Sequence, residues 1–284
     1  MSINVIVVVL LAALLHATWN FLVKRSADTY QGMSSVVIGH APFGFLALFF
    51  VPHIAPASLP YVAAGAIFHT GYQIFLLNSY RLGDLSQVYP LARGGAPFIV
   101  AAISVLFLGV TYGGFEIVAL VAIGAGIVSL AFTGRPLQVE GRYAPVFLAL
   151  VTGGFIAGYT LVDGLGARAA GTAVGYYSWV TLTNALIFSF VIMKVRPGMV
   201  RTLFTKHLTM TLAGGGASYL AYALVVWSFT QAPIALVASL RETSIIFASL
   251  LGVFILKERL SPLKICSIAV TLTGIICLRL GSYF

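Results

Sequence analysis

Residues 84–110 read D-L-S-Q-V-Y-P-L-A-R-G-G-A-P-F-I-V-A-A-I-S-V-L-F-L-G-V, and this stretch decides the fold class. It is long enough to cross a bilayer, which takes about 20 largely apolar residues. It nevertheless carries Arg93 about two helical turns in, with Tyr89 four residues before and Pro97 four after. An arginine at membrane depth costs roughly 3 kcal/mol or more, so it faces a protein interior or a wet cavity rather than lipid. A second such stretch, Ala232 to Glu258, follows 148 positions later, with Arg241 in register with Arg93. Val105 and Leu108 find identical partners in Val253 and Leu256. The shared layout of turn, apolar helix, early arginine and apolar remainder reads as one unit written twice.

The composition agrees. Hydrophobic residues make up 60% of the 284 and charged residues 8%, against about 25% charged in soluble domains. Mean hydropathy is +1.02. Ten apolar segments are expected at roughly 3–23, 33–52, 60–79, 85–108, 114–133, 144–163, 173–193, 208–229, 233–256 and 262–280. The polar segment T-G-R-P-L-Q-V-E-G-R-Y (133–143) lies near the chain midpoint. The organisation expected is therefore a first repeat over 1–133 (spans 1–5), a connection over 134–143 and a second repeat over 144–284 (spans 6–10). An odd number of spans per repeat forces the halves to insert with opposite orientation, a frequent transporter design. The fold class expected is an all-α integral membrane protein of ten transmembrane helices in two inverted five-helix repeats.

The formal charge of +9 is distributed as a membrane protein's, not a nucleic-acid binder's. Lysines and arginines gather in the odd-numbered connections, from Lys24 and Arg25 through Arg142 and Lys194 to Lys264, while Arg168 and Arg279 fall on the other side. Loops rich in Lys and Arg stay in the cytoplasm, which places both termini outside. Cys266 and Cys277 share one expected helix about 16 Å apart, too far to bridge, and read as packing residues. The first segment lacks a basic leader and a cleavage site, so it reads as a retained span.

Several spans carry polar faces. In span 1, His16, Trp19 and Asn20 stand at i, i+3, i+4; in span 3, His69, Tyr72 and Gln73 do the same. Two uses fit such faces equally: hydrogen bonds between helices, commonly under 2 kcal/mol each, and the wall of a substrate path. In span 4, Ser86, Tyr89, Arg93 and Pro97 fall near one face, and Pro97 is expected to kink the helix by removing the bond to the Arg93 carbonyl. Gly154 and Gly158 form a G-x-x-x-G face in span 6, and Tyr159 and Asp163 stand four apart. Asp163 is expected near the outer interface, with a titratable group at the mouth of the path as the other reading. Tyr176, Tyr177 and Trp179 fit an interfacial aromatic belt. Tyr219 and Tyr222 share a face of span 8, and Arg241 adjoins Glu242 in span 9, directed about 100° away, so their pairing is left open.

Inversion has a geometric consequence. Arg93 and Arg241 approach the middle from opposite sides, which suits a cavity gripping a carboxylate or phosphate, because guanidinium presents a planar fork of donors. Trp19, Tyr72, Tyr89, Tyr159, Tyr219 and Tyr222 are candidates for its aromatic wall, with Asn20 and Gln73 as polar contacts. Asp163, Glu242, His16 and His69 are the candidates for proton coupling, and exchange against a counter-substrate fits as well. A membrane enzyme is the competing class, but no H-E-x-x-H, G-x-S-x-G or paired carboxylates on one face support it. A purely structural protein would not need the polar faces. No catalytic residue, metal or cofactor is expected, and monomer and homodimer stay open.

The W-N-F-L-V-K end of span 1 (Trp19 to Lys24), L-G-V (Leu108 to Val110) and L-K-E-R-L-S (Leu256 to Ser261) resemble the EamA branch of the drug/metabolite transporter superfamily over nearly the whole chain. The second copy keeps that family's Glu as Glu258, while the first departs from the pattern with Val110. The resemblance implies alternating-access export or exchange of small metabolites, often amino acids, across the bacterial inner membrane, with substrate between the halves. Carriers of sugar phosphates and lipid-linked sugars are among the relatives it implies. It supplies no residue roles.

Overall fold

The structure is a computed structural model and describes residues 1–24, 28–82, 92–130, 144–256 and 261–280. Expectations for Ser86 and Tyr89 lie outside the described residues, as do those for the side chains of Trp19 and Asn20. Regular structure among the described residues is helical throughout. In chain order the helices are α1 (Ile3–Lys24), α2 (Thr29–Gly39), α3 (Ala41–Ala47), α4 (Leu59–Leu82), α5 (Ala96–Leu108), α6 (Gly114–Leu130), α7 (Ala144–Ala170), α8 (Ala173–Val195), α9 (Met199–Lys206), α10 (Leu208–Gln231), α11 (Ile234–Arg241), α12 (Ser244–Leu256) and α13 (Pro262–Leu280). Among the described residues, three helical segments are long and apolar enough to cross a membrane: Phe147–Ala170, Ala173–Val195 and Leu208–Gln231. Shorter apolar helices accompany them.

Burial runs opposite to that of a soluble domain. Phe50 is 79% exposed and Phe107 78%, whereas Arg93 and Arg241 are each 2% exposed and Asp163 and Glu242 are 0%. Water would penalise such an apolar exterior, and lipid would not. The arrangement is compatible with a membrane location.

Small residues set how closely the helices approach. A Cβ on Gly215 of α10 would fall on the backbone of Gly39 in α2. Between α6 and α13, a Cβ on Gly126 would meet the Ser267 carbonyl at 2.9 Å, and the Ser129 and Ser267 hydroxyls hydrogen-bond at 2.7 Å. The G-x-x-x-G face of span 6 is only half used. Gly158 packs on Phe68, but Gly154 meets nothing within 4 Å, and its neighbour Gly153 is the one against the Ala92 backbone. Gly215→Ala is therefore expected to cost about 1–3 kcal/mol by forcing two backbones apart. Gly154→Ala should be neutral or slightly stabilising, since alanine is the better helix former. Thermal melting of the detergent-purified variants measures both.

Helix ends follow local chemistry. Asp28 accepts from Tyr30 N at 2.9 Å to open α2, and Glu116 accepts from Gly113 N at 3.0 Å at the start of α6. Gly109, at φ +63°, closes α5 in the left-handed conformation that glycine tolerates. Arg168 donates to the carbonyls of Phe229 (2.9 Å) and Ala232 (2.8 Å), closing α10. Part of the basic run 194–207 forms the short helix α9, anchored by buried Leu203.

Two apolar stretches are broken at matching places. Ala92 to Gly94 are helical, Gly95 bends, and α5 restarts at Ala96. Correspondingly, α11 ends at Arg241, Glu242 and Thr243 form a turn, and α12 starts at Ser244. Gly95 and Thr243 differ by the same 148 positions as the arginines. The interruption at Gly95 falls between Arg93 and Pro97, where proline offers no N–H to the Arg93 carbonyl, and Pro97 takes the first turn of the new helix. In the second stretch the Thr243 hydroxyl bonds back to the Leu240 carbonyl at 2.7 Å, in competition with the helix backbone.

Candidate functional site

The two breaks bring three charges together. Arg93 forks onto Glu242, with Nη2 donating to Oε1 at 3.0 Å and Nε donating to Oε2. Arg241 donates to the same carboxylate, through Nη2 at 2.9 Å and Nε at 3.2 Å. The pairing that an unbroken helix left open is thus made, because the turn at Glu242 and Thr243 releases the carboxylate from helical geometry. Two guanidiniums and one carboxylate leave a single positive charge. The bonds to Glu242 do not use Arg241 Nη1. Arg93 Nη1 lies 2.8 Å from His16 Nε2, so that imidazole nitrogen acts as an acceptor.

Aromatic rings cover the other side of Arg241. Its guanidinium lies 5.7 Å from the Tyr159 ring and 5.6 Å from the Tyr222 ring, within cation–π range. Tyr159 stacks on His69 at 4.2 Å and meets Tyr72 edge-on at 5.5 Å. Tyr222 meets Tyr177 at 5.0 Å, and Tyr177 stacks on Tyr219 at 5.3 Å. Helices α4, α7, α8 and α10 each supply part of this cluster, which a hydrogen bond of 2.7 Å between Tyr219 and Ser178 holds at one edge. Four of the expected wall tyrosines (Tyr72, Tyr159, Tyr219 and Tyr222) therefore meet in one place.

Asp163 lies apart from these three groups and is fully buried in the protein. Helix α7 continues seven residues past it, to Ala170, which sets it about 10 Å inside the helix end. Its carboxylate lies 2.8 Å from His69 Nε2, accepts from the Tyr222 hydroxyl at 2.9 Å, and has the Tyr176 hydroxyl at 3.2 Å. Tyr222 thus links the two acidic centres, its hydroxyl on Asp163 and its ring beside Arg241. Gln73 belongs elsewhere. It exchanges side-chain amide bonds with Asn184 at 3.0 and 3.2 Å, and Asn184 also donates to Thr70 at 2.9 Å. That is helix-to-helix bonding between α4 and α8, the first of the two uses that fitted the span 3 face.

Trp179 is 44% exposed, whereas Tyr176 (0%) and Tyr177 (3%) are buried inside the protein rather than on a belt. Tyr176, Tyr177, Val180, Thr181, Asn184 and Phe188 form a buried stripe on α8. The sequence carried that stripe as spacings of one, three and four, so its inward direction was open to reading. Among the described residues, no group of three or more His, Cys, Asp or Glu could hold a metal ion.

No protein-family model matches the chain, and no curated protein matches it in sequence. A solved structure, described only as the crystal structure of a protein, is similar at a TM-score of 0.75 and 15% identity. The likeness covers 99% of this chain and 98% of that one. At so low an identity the similarity is one of fold alone.

Proposed function

We propose that the protein is a secondary transporter that moves a small polar metabolite across the bacterial inner membrane by alternating access. One observation carries this reading: two broken helices, interrupted at matching positions, gather Arg93, Arg241 and Glu242 beside an aromatic cluster, inside an apolar exterior. Broken helices at the interface of two inverted repeats are where such carriers place their substrates.

The packing supports a ten-span, twice-written organisation. Helix α4 packs on α7 as α1 packs on α10, and α4 on α8 as α2 on α10. The neighbour pair α5 and α7 answers to α12 and α1, while α6 with α13 joins equivalent elements. Exchanging the halves turns this set of neighbours into itself. The basic odd-numbered connections support cytoplasmic loops there and outside termini. The resemblance to EamA members points the same way.

The net positive charge of the arginine–glutamate triad favours a substrate with an anionic group, such as an amino acid or a related organic acid. That group takes the guanidinium edge left by Glu242, and the tyrosines cover the body of the molecule. Phosphorylated sugars share the anionic group and are the alternative substrate class. The test is thermal stability of the detergent-purified protein against amino acids, organic acids, sugar phosphates and cations. A true ligand at 100 times its dissociation constant should stabilise by about 2.7 kcal/mol. Stabilisation by carboxylates or phosphates is the expected result, and stabilisation by cations alone would refute the anion assignment.

A further inference from the structure

The two acidic groups of the centre are held in different ways. Glu242 lies between two guanidiniums that stay charged. Asp163 has hydrogen bonds from His69, Tyr222 and Tyr176, and of these only His69 can carry a positive charge. A buried carboxylate without a cation is costly, so the state of this pair depends on a single proton. The His69 side chain is 12% exposed and that of Asp163 is 0%. The imidazole is therefore the side from which a proton arrives.

We infer that the His69–Asp163 pair is a proton-binding site that loads together with the substrate's anionic group at Arg241. The inference rests on the transporter reading above. In the empty state His69 Nε2–H donates to the Asp163 carboxylate, Nδ1 holds a lone pair, and the pair carries one negative charge. An arriving proton leaves a hydronium ion, which becomes water, and bonds to the Nδ1 lone pair, while the Nε2–H bond to Asp163 is kept. The product is a neutral imidazolium–carboxylate pair, and release reverses the step.

The surroundings connect this proton to the arginines. The phenols around the pair, Tyr159, Tyr176, Tyr177 and Tyr222, with Tyr72 behind Tyr159, are uncharged near neutral pH. His40, from the junction of α2 and α3, is the second imidazole in electrostatic reach of His69. Arg241 and Glu242 lie beyond the rings of Tyr159 and Tyr222, and Arg93 lies on the far side of Glu242. With the pair empty, its negative charge cancels the net positive charge of the triad and opposes an incoming anion. With the pair loaded, that opposition is gone. Proton and anion must therefore strengthen each other's binding by the same factor. His16 does not take this role, because its Nε2 accepts from Arg93.

The test is thermal-shift titration of the full-length protein with three probes, L-glutamate, succinate and inorganic phosphate, at about pH 8 and about pH 6, either side of the ordinary histidine range. For a probe that binds, the half-saturating concentration should fall about fivefold or more at the lower pH, and Asp163→Asn and His69→Gln should each flatten the dependence. A wild-type affinity that ignores pH, or an unaltered dependence in both variants, overturns the inference. Infrared titration of protein with ring-labelled histidine, taken as the difference between the wild type and His69→Gln, reads His69 without any ligand, since the chain has five histidines. A His69 protonation step between about pH 8 and about pH 6 supports the site, and its absence from that interval overturns it. If His69 titrates and no probe binds, the anion reading of the transporter fails while the proton site stands. If probes bind and His69 stays silent, the failures are reversed.

Discussion

Glu242→Gln should destabilise the protein more than any other single change in the polar centre, by about 3–5 kcal/mol. Glutamine keeps the volume and one acceptor but removes the charge, leaving the Arg93 and Arg241 guanidiniums as buried cations with no carboxylate between them. The loss comes from this stranding rather than from the value of the ion pair, since a buried pair replaced whole by apolar residues is often close to neutral. The double variant Arg93→Met with Glu242→Gln should accordingly be less damaged than the sum of its single changes, because only one cation remains. Melting of the four proteins in detergent closes the cycle. Strict additivity would show that the triad does not behave as a unit.

Arg241→Gln should have the largest effect on ligand binding while keeping the fold. Arg93 still holds Glu242 in this variant, so no buried carboxylate is left without a partner. The substrate's anionic group loses its free guanidinium edge, however, and the centre loses its net positive charge. Hydrogen bonds to charged groups contribute about 1.5–3 kcal/mol, which corresponds to about a 10–100-fold weaker affinity. The measurement is the half-saturating concentration of whichever anion stabilises the wild type, together with its uptake into proteoliposomes. Equal affinity in the variant would make Arg241 purely structural and move the site to the aromatic cluster and Asp163.

The positions of Arg93 and Arg241 were legible because an arginine in an apolar run is costly and therefore has a reason to be there. Their common partner was less so. A regular helix directs Arg241 and Glu242 about 100° apart, and the turn that lets them meet depends on a Thr243 hydroxyl bonding backwards and on Arg93 pulling from another helix. The burial of Asp163 was not legible for a simpler reason. Hydropathy marks where apolar residues stop, at about residue 163, whereas α7 runs on to Ala170 because Arg168 finds carbonyls of α10 to hold. The longer helix buries this carboxylate among side chains of α4, α8 and α10 and makes it a partner for His69.

The same division applies to the aromatics. Spacing placed Tyr219 and Tyr222 on one face, but periodicity does not say which neighbouring helix that face meets. Tyr176 and Tyr177 looked interfacial because rings near a helix start usually are, and packing against α4, α7 and α10 buried them. By itself, the sequence determined an all-helical chain with an apolar exterior and two arginines at matching places in like-patterned stretches, because those follow from composition and from the period of a helix. Only the tertiary structure decided that both arginines hold one glutamate, that His69 holds Asp163, and that Tyr222 joins the two. These are contacts between residues up to about 150 positions apart, and they depend on where helices break and how closely glycine lets them approach, which no local pattern encodes.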